Sequence, residues 1–298
     1  MRKHPVIFGL VLLIALSVVV YFSFYRFGSD SGKSNTFSLN EKIGVVSVTG
    51  VIHDSRLINE QLKEFSENDS ISAIVLRIDS PGGGVAASQE IYGAVLEARK
   101  KKKVVASLGS VAASGGLLIA CAADKIVANP GTITGSISAV MQFASFEELL
   151  KKIGMKSSVV KSGQYKDIGT PFRTMTPEEK IIIQELVDDI FNQFVDVIVS
   201  DRKIAREKIM QIADGRIFSG RKAKEYGLVD SLGDIGYAAT LASQLAGKDG
   251  KYDLVYPRRQ RESFWELFFE SATNQLSRSL AEKTENLGLV SYLYYPRM

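Results

Sequence analysis

From Lys42 onward the chain alternates between short β-branched runs and longer amphipathic ones, and this alternation leaves few architectures open. Ile43 to Val48, Ala73 to Ile78, Val104 to Leu108, Lys125 to Ala128 and Ser158 to Lys161 read as strands. Helices are expected between them at Asn59 to Glu67, Val85 to Arg99, Gly115 to Ala123 and Phe146 to Ile153. Strands interleaved with helices predict an α/β domain with a largely parallel core. A further helix is marked at Thr176, where Thr176 as N-cap, Pro177 at N1 and Glu179 at N3 spell a capping box. The apolar face that follows, Ile182, Leu186, Phe191, Phe194 and Ile198, predicts a core or subunit contact.

The amino end is of another kind. Val6 to Tyr25 is an uncharged run of 20 residues, and a helix of that length spans roughly 30 Å, the hydrocarbon thickness of a bilayer. A cleaved signal peptide is the alternative, but its apolar region is normally about 7 to 15 residues, and no A-x-A-like site follows Tyr25. Arg2, Lys3 and the terminal amine precede the run, while Arg26 and Lys33 follow it, partly offset by Asp30. The modest positive-inside bias favours a cytoplasmic amino terminus with everything beyond Phe27 outside. The expected plan is therefore a cytoplasmic terminus and transmembrane anchor at 1–27, a flexible Gly- and Ser-containing tether at 28–41, an α/β domain at 42–250 and a helical extension at 251–298.

Two loops at strand ends carry the chemistry. Asp79-Ser80-Pro81-Gly82-Gly83-Gly84 follows the strand Ala73 to Ile78 and precedes a helix, so backbone N–H groups can approach a bound oxygen closely. It lacks the Lys-Ser/Thr ending of a phosphate-binding loop and the spacing of a dinucleotide fingerprint. Gly109-Ser110-Val111-Ala112-Ala113-Ser114-Gly115-Gly116 follows the strand Val104 to Leu108 and opens an apolar helix. There Ser114 stands as a nucleophile, with the N–H of Gly115 placed for a developing oxyanion. The competing readings are a simple N-cap serine and, within the loop, Ser110, which has no glycine after it.

A serine nucleophile needs a base, and composition narrows the choice. His4, His53 and Cys121 are all the histidines and cysteines present, which excludes a zinc finger, a Cys/His metal cluster, a disulfide framework and a thioredoxin-like pair. No metal or other cofactor is called for. The net charge of +4 gives no case for nucleic-acid binding, and the basic run Arg99 to Lys103 reads as a solvated helix end. His4 lies beside the anchor and His53 follows the first strand without a distinctive setting, so a Ser-His-Asp triad has one poor candidate. A lysine works only when desolvated, because its free pKa of about 10.4 must fall toward neutrality. Lys161 and Lys166, in KSGQYKD at 161–167, both remain open on this reading.

DSPGGG at 79–84, VAASGG at 111–116, ADKIVANPGTITGSI at 123–137 and KSGQYKD at 161–167, with GRIFSGRKAKEYGLVDSLG at 215–233, together resemble the signal peptide peptidase A family in its short form. These are membrane-bound Ser-Lys proteases of the ClpP/crotonase superfamily, and the resemblance covers roughly Lys42 to Gly247. It implies a fold of repeated ββα units preceded by one transmembrane helix. It also implies Ser114 as nucleophile, Lys166 as base, Ser136 as the serine hydrogen-bonded to that lysine, and Gly115 with Gly82 or Gly83 as oxyanion hole. The implied substrates are apolar peptides, remnants of signal peptides left in the membrane after secretion, and no cofactor is involved. Dome-like or ring-like homo-oligomers are implied as well, with serine and lysine able to meet across a subunit boundary. Leu117-Leu118 departs from the family, where aromatic residues are common, and this bears on the binding pocket rather than the dyad.

The anchor would place the domain on the extracytoplasmic side of a bacterial inner membrane, in contact with lipid through Val6 to Tyr25. Beyond Tyr256 the resemblance weakens. Arg258, Arg259 and Arg261 precede Ser263 to Phe269, with Leu276 and Leu280 continuing at helical spacing, a pattern that suits subunit packing or a membrane surface. Three other readings compete: a protease of membrane-organising proteins, a crotonase-type acyl-CoA enzyme and an inert scaffold.

Overall fold

A computed structural model describes residues 13–18, 21 and 40–257. Of the expected anchor Val6 to Tyr25, residues 13–18 and Tyr21 are helical and exposed, and the rest lies outside the described residues. No helix among the described residues is long and apolar enough to cross a membrane. The expected helical segment from Ser263 to Leu280 and the terminal Tyr292 to Pro296 also lie outside the described residues. The chain divides into two units, Met1–Val255 and Tyr256–Met298.

The first unit is built on an eight-stranded sheet of order β6-β5-β3-β2-β1-β8, with β4 pairing β3 and β7 pairing β4. Its strands are β1 (Glu41–Thr49), β2 (Ala73–Ser80), β3 (Lys103–Ala113), β4 (Lys125–Ala128), β5 (Ile133–Gly135), β6 (Ile217–Ser219), β7 (Ser231–Leu232) and β8 (Tyr252–Val255). All pairings are parallel except β5 with β6. The α/β domain with a largely parallel core is thus present, and the sheet takes in β8 beyond Gly250.

Successive side chains of a strand point to opposite faces, and β1 and β2 use this to fill two cores. Ile43, Val45, Ala73 and Val75 pack on α8 (Ile235–Leu245). Val46, Val48, Ile74, Leu76 and Ile78 face α1 (Arg56–Glu67), α2 (Val85–Lys101), α3 (Gly115–Cys121) and the rear of α5 (Pro177–Arg202). At Gly44 a side chain would strike the Phe65 ring, so the glycine sets how closely α1 lies on the sheet. The remaining helices are short: α4 (Glu147–Lys152), α6 (Arg206–Met210) and α7 (Gly220–Glu225).

The basic run at the end of α2, expected to be simply solvated, is so at Lys100, Lys101 and Lys103, while half-buried Arg99 and Lys102 reach the ends of other helices. Arg99 donates to the Ala122 carbonyl at 2.8 Å, just past α3, and Lys102 donates to the Phe65 carbonyl at 2.8 Å, near the end of α1. One expected strand is corrected. Ser158 to Lys161 is not a strand: Val160 is 99% exposed, and β-branched residues with no sheet partner among the described residues have no ladder to join. It belongs to an arm, residues 138–176, that carries α4 and is almost wholly exposed.

Candidate active site

The site forms where β2 and β3 end. Their register runs evenly to Ile78 opposite Leu108, then slips so that Ser80 faces Ala112. Asp79 fills the slip, its carboxylate accepting the Val111 N–H at 3.0 Å, and a Cβ on Gly109 would lie 2.8 Å from that carboxylate carbon. β3 thereby runs on past its expected end at Leu108 and pairs with β5, Ala113 opposite Gly135. Two buried threonines hold β5 there: Thr132 donates to the Gly109 carbonyl at 2.7 Å and Thr134 to the Ala112 carbonyl at 2.6 Å.

Ser114 is the first residue beyond this strand and sits at φ 52°, ψ −121°. A non-glycine residue at positive φ costs on the order of 1–3 kcal/mol, and such strain collects at functional sites. Its N–H donates to the Gly135 carbonyl at 2.9 Å, which fixes the turn. The hydroxyl makes no capping bond to α3, so the N-cap reading fails: an N-cap serine would spend its oxygen on the helix N–H groups. Ser110 sits on the bulge, exposed, and does not line the cavity beside Ser114.

The glycine loop closes over this turn. Gly82 has φ +98°, and a Cβ there would lie 2.8 Å from the Gly115 nitrogen and 2.9 Å from the Ser114 Cβ, so only glycine allows the two loops to meet. The segment after β1 grips the loop from behind, with the Ile52 N–H donating to the Gly82 carbonyl at 2.9 Å and the Gly84 N–H to the Ile52 carbonyl at 2.8 Å. In that parallel bridge the intervening Gly83 N–H points away from Ile52. The Gly82 N–H is already given to the buried Ser80 hydroxyl at 3.1 Å. Gly83 and Gly115 therefore keep N–H groups with no acceptor among the described residues, and both line one cavity with Ser114.

That cavity has a volume of about 110 Å³. Val85, Leu118, Val140, Ile190 and Phe194 make its walls apolar, and Ser88, Gln89 and Ser138 add polar groups. Ser136 stands one residue beyond Gly135, the register partner of Ala113, and so follows the same ladder that ends in Ser114. It shares the unusual φ of 52°, and its N–H donates to the Arg216 carbonyl at 2.8 Å.

Lys166 is elsewhere. It lies on an exposed turn of the arm, outside the lining of the Ser114 cavity, and its amine has no partner among the described residues. Lys161, by contrast, is committed to Asp167. Hydrogen bonds from Arg173, then Lys161, hold the Asp167 carboxyl well below the usual carboxylate range. His53 also lies outside the cavity, in a separate groove with Ser47, Asp54 and Arg56. Cys121, at the end of α3, is buried, and that burial pushes its thiol up to about 12. Among the described residues no group of His, Cys, Asp and Glu side chains is arranged to hold a metal ion.

Ser114 and the glycines stand out in the sequence; Ser80, Ile52, Thr132 and Thr134, which hold their loops in place, do not. The Asp-Ser opening of the glycine loop was available as a signal; the Ile52 bridge is a backbone contact and left none.

A serine hydroxyl and two N–H groups without partners among the described residues, beside an apolar pocket, are part of what acyl transfer from a peptide requires, the base being the remaining part. The model of Peptidase family S49 matches residues 97–249, and that of Clp protease matches residues 35–133. The chain is 45% identical to the "Putative protease" of Synechocystis sp., covering 71% of this chain and 77% of that protein. It is 32% identical to the "Putative protease" of Methanocaldococcus jannaschii, over 90% and 91% of the two chains. It is 35% identical to the "Putative signal peptide peptidase SppA" of Enterococcus faecium, over 65% and 60%. A strained serine turn framed by glycines on a ClpP-like sheet and these matches lead to one conclusion: the chain belongs to peptidase family S49, as a serine peptidase of the signal peptide peptidase A and protease 4 type.

Proposed function

We propose that this is a membrane-anchored endopeptidase in which Ser114 is activated by Lys166 and which degrades apolar, unstructured peptides, signal-peptide remnants among them. The observation that carries the reading is the free Ser114 hydroxyl beside the unpaired N–H groups of Gly83 and Gly115. The neutral amine of Lys166 takes the hydroxyl proton as the oxygen attacks the peptide carbonyl. The tetrahedral oxyanion sits on Gly83 and Gly115, with Gly82 shaping the loop rather than donating. The lysine then protonates the leaving amine, and water releases the acyl group through the same proton transfers in reverse. Ser136, adjacent to the nucleophile turn, orients the amine by a hydrogen bond.

In this reading the site is completed by a second copy of the chain. Within one protomer Lys166 is exposed, whereas a lysine base needs an apolar, desolvated setting. The arm that bears it exposes Val140, Phe143, Phe146, Leu149, Ile153 and Val160, and the first half of α5 exposes Ile182 and Leu186. So many exposed apolar side chains fit a subunit interface. In this reading the 20-residue run Val6 to Tyr25 is the anchor and holds the domain outside the cytoplasm, beside the membrane in which signal-peptide remnants are left after secretion.

The test is cleavage of an unstructured apolar peptide by Ser114→Ala, by Lys166→Ala and by mixed oligomers of the two. Each variant alone is expected to be inactive, and co-assembly is expected to restore part of the activity. Full activity in either variant contradicts the dyad, and no recovery in verified mixed oligomers contradicts sharing.

A further inference from the structure

Lys166 is followed by Asp167, and that carboxylate is bound far more tightly than an exposed turn requires. Arg173 Nε donates to its Oδ2 at 3.1 Å, Arg173 Nη2 lies 3.0 Å from its Oδ1, and Lys161 closes on the same carboxylate. The same guanidinium forks onto Glu179, Nη1 to Oε2 at 2.8 Å and Nη2 to Oε1 at 2.5 Å. The Glu179 side chain is 3% exposed. Its carboxylate also accepts the Thr176 N–H at 2.9 Å, while the Thr176 hydroxyl accepts the Glu179 N–H at 3.2 Å, closing the capping box of α5. One guanidinium thus joins the residue beside the lysine to the first turn of the helix whose later residues, Ile190 and Phe194, wall the Ser114 cavity. A second tie runs alongside: the N–H and hydroxyl of Thr174 both donate to Glu147 Oε2 at 2.6 Å.

The capping box alone would satisfy the start of α5. A guanidinium held between two carboxylates adds direction, because its planar fork fixes angles that a point charge leaves free. A single bond to Asp167 would leave the neighbouring backbone free to swing by an ångström or more. A displacement of about 1 Å from the productive geometry can cost on the order of 100-fold in rate.

We infer that Asp167, Arg173 and Glu179 form a positioning clamp that fixes the backbone of Lys166 against α5 and so sets where its amine meets the serine. The inference rests on Lys166 being the base. It holds whether that serine is in the same protomer or another, since the clamp lies wholly within the protomer that carries the lysine.

The experiment compares the full-length chain with Arg173→Met, Arg173→Lys, Lys166→Ala and the double variant R173M/K166A. The readouts are steady-state cleavage of an unstructured apolar peptide, assembly size, and the rate at which a fluorophosphonate probe phosphonylates Ser114 with loss of fluoride. Arg173→Met is expected to lower kcat tenfold or more with KM within twofold and assembly unchanged. Arg173→Lys should fall between it and the parent, because an ammonium reaches one carboxylate but not both. In the Lys166→Ala background, Arg173→Met should slow phosphonylation no further. Full kcat in Arg173→Met beside an inactive Lys166→Ala overturns the clamp, and so does an equal slowing with and without Lys166, which marks a general structural role. Full activity in Lys166→Ala overturns the base assignment instead. If Arg173→Met fails to assemble, Asp167→Asn leaves the Arg173–Glu179 fork in place and is expected to lower kcat several-fold; an unchanged kcat there overturns the inference.

Discussion

Ser114 and Lys166 belong to regions held together in different ways. The turn that carries the serine is fixed by sterics and backbone bonds: Gly82 admits no side chain, Gly135 holds the Ser114 N–H, and the walls behind are the buried core of β2, β3 and α3. The arm that carries the lysine has almost no core. It is shaped by the ion pair of Glu147 with Lys151 and by those among Lys161, Asp167, Arg173 and Glu179, and it turns apolar side chains outward. Ser114 is thus fixed within the protomer, while Lys166 is held on a strap that exposes apolar side chains, the face that the proposed function gives to another copy.

The largest effect expected on this contrast comes from Gly82→Ala. The added methyl would press on the Gly115 nitrogen and on Ser114, at a φ of +98° that an L-residue resists. Loss of oxyanion alignment should lower kcat about 100-fold or more, with assembly intact by light scattering. A kcat within threefold of the parent would show that the loop is not part of the machinery.

Next in size is Val160→Glu on the arm. Val160 is 99% exposed in the protomer, so the charge costs little within one chain but would be buried in an interface. Smaller oligomers by sedimentation and activity down about tenfold are expected, with the melting temperature of the sheet domain unchanged. Unaltered assembly would remove Val160 from any contact.

Acid should separate the two regions without any mutation. Hydrogen bonds from Arg173 and the Thr176 N–H hold Glu179 down to about 2, and those from Thr174 and Lys151 hold Glu147 down to about 2. Groups depressed in this way stabilise the fold fully above the ordinary glutamate value of 4.5, and that stabilisation is lost as pH falls from there through about 2. Hydrogen exchange over that range should show residues 160–180 losing protection while β1 to β3 keep theirs. Simultaneous loss in both regions would contradict an arm held by ion pairs.

How much of this could be read in the sequence follows the same division. β1 to β4 and the capping box of α5 were legible because period and cap chemistry are local signals, and both glycine loops stood out because glycine marks close backbone approach. The end of β3 was not, since its continuation depends on Asp79 filling a slip opposite Gly109 to Val111. β5 to β8 were missed as well, being only two to four residues long and defined by their neighbours. Val159 and Val160 misled in the other direction, because β-branching raises strand propensity without providing a partner. Position also could not decide between Lys161 and Lys166; what distinguishes them in the fold is that Lys161 is taken up by Asp167.

The smallest effect is a null one on the helix that follows the nucleophile. Cys121 is buried in α3 with its thiol pushed up to about 12, so a maleimide should leave native protein unlabelled and fully active at neutral pH. Inactivation by that reagent would mean that the body around Ser114 opens more readily than its packing indicates.

In the proposed mechanism Ser114 is the nucleophile and Lys166 the group that activates it. The most direct test is mass-spectrometric mapping of a serine-reactive fluorophosphonate on the assembled full-length protein and on its Lys166→Ala variant. A single adduct at Ser114 is expected in the parent, with at least tenfold slower labelling of the same residue without the lysine. Labelling at Ser110 or another serine, or an unchanged rate at Ser114 in Lys166→Ala, would contradict it.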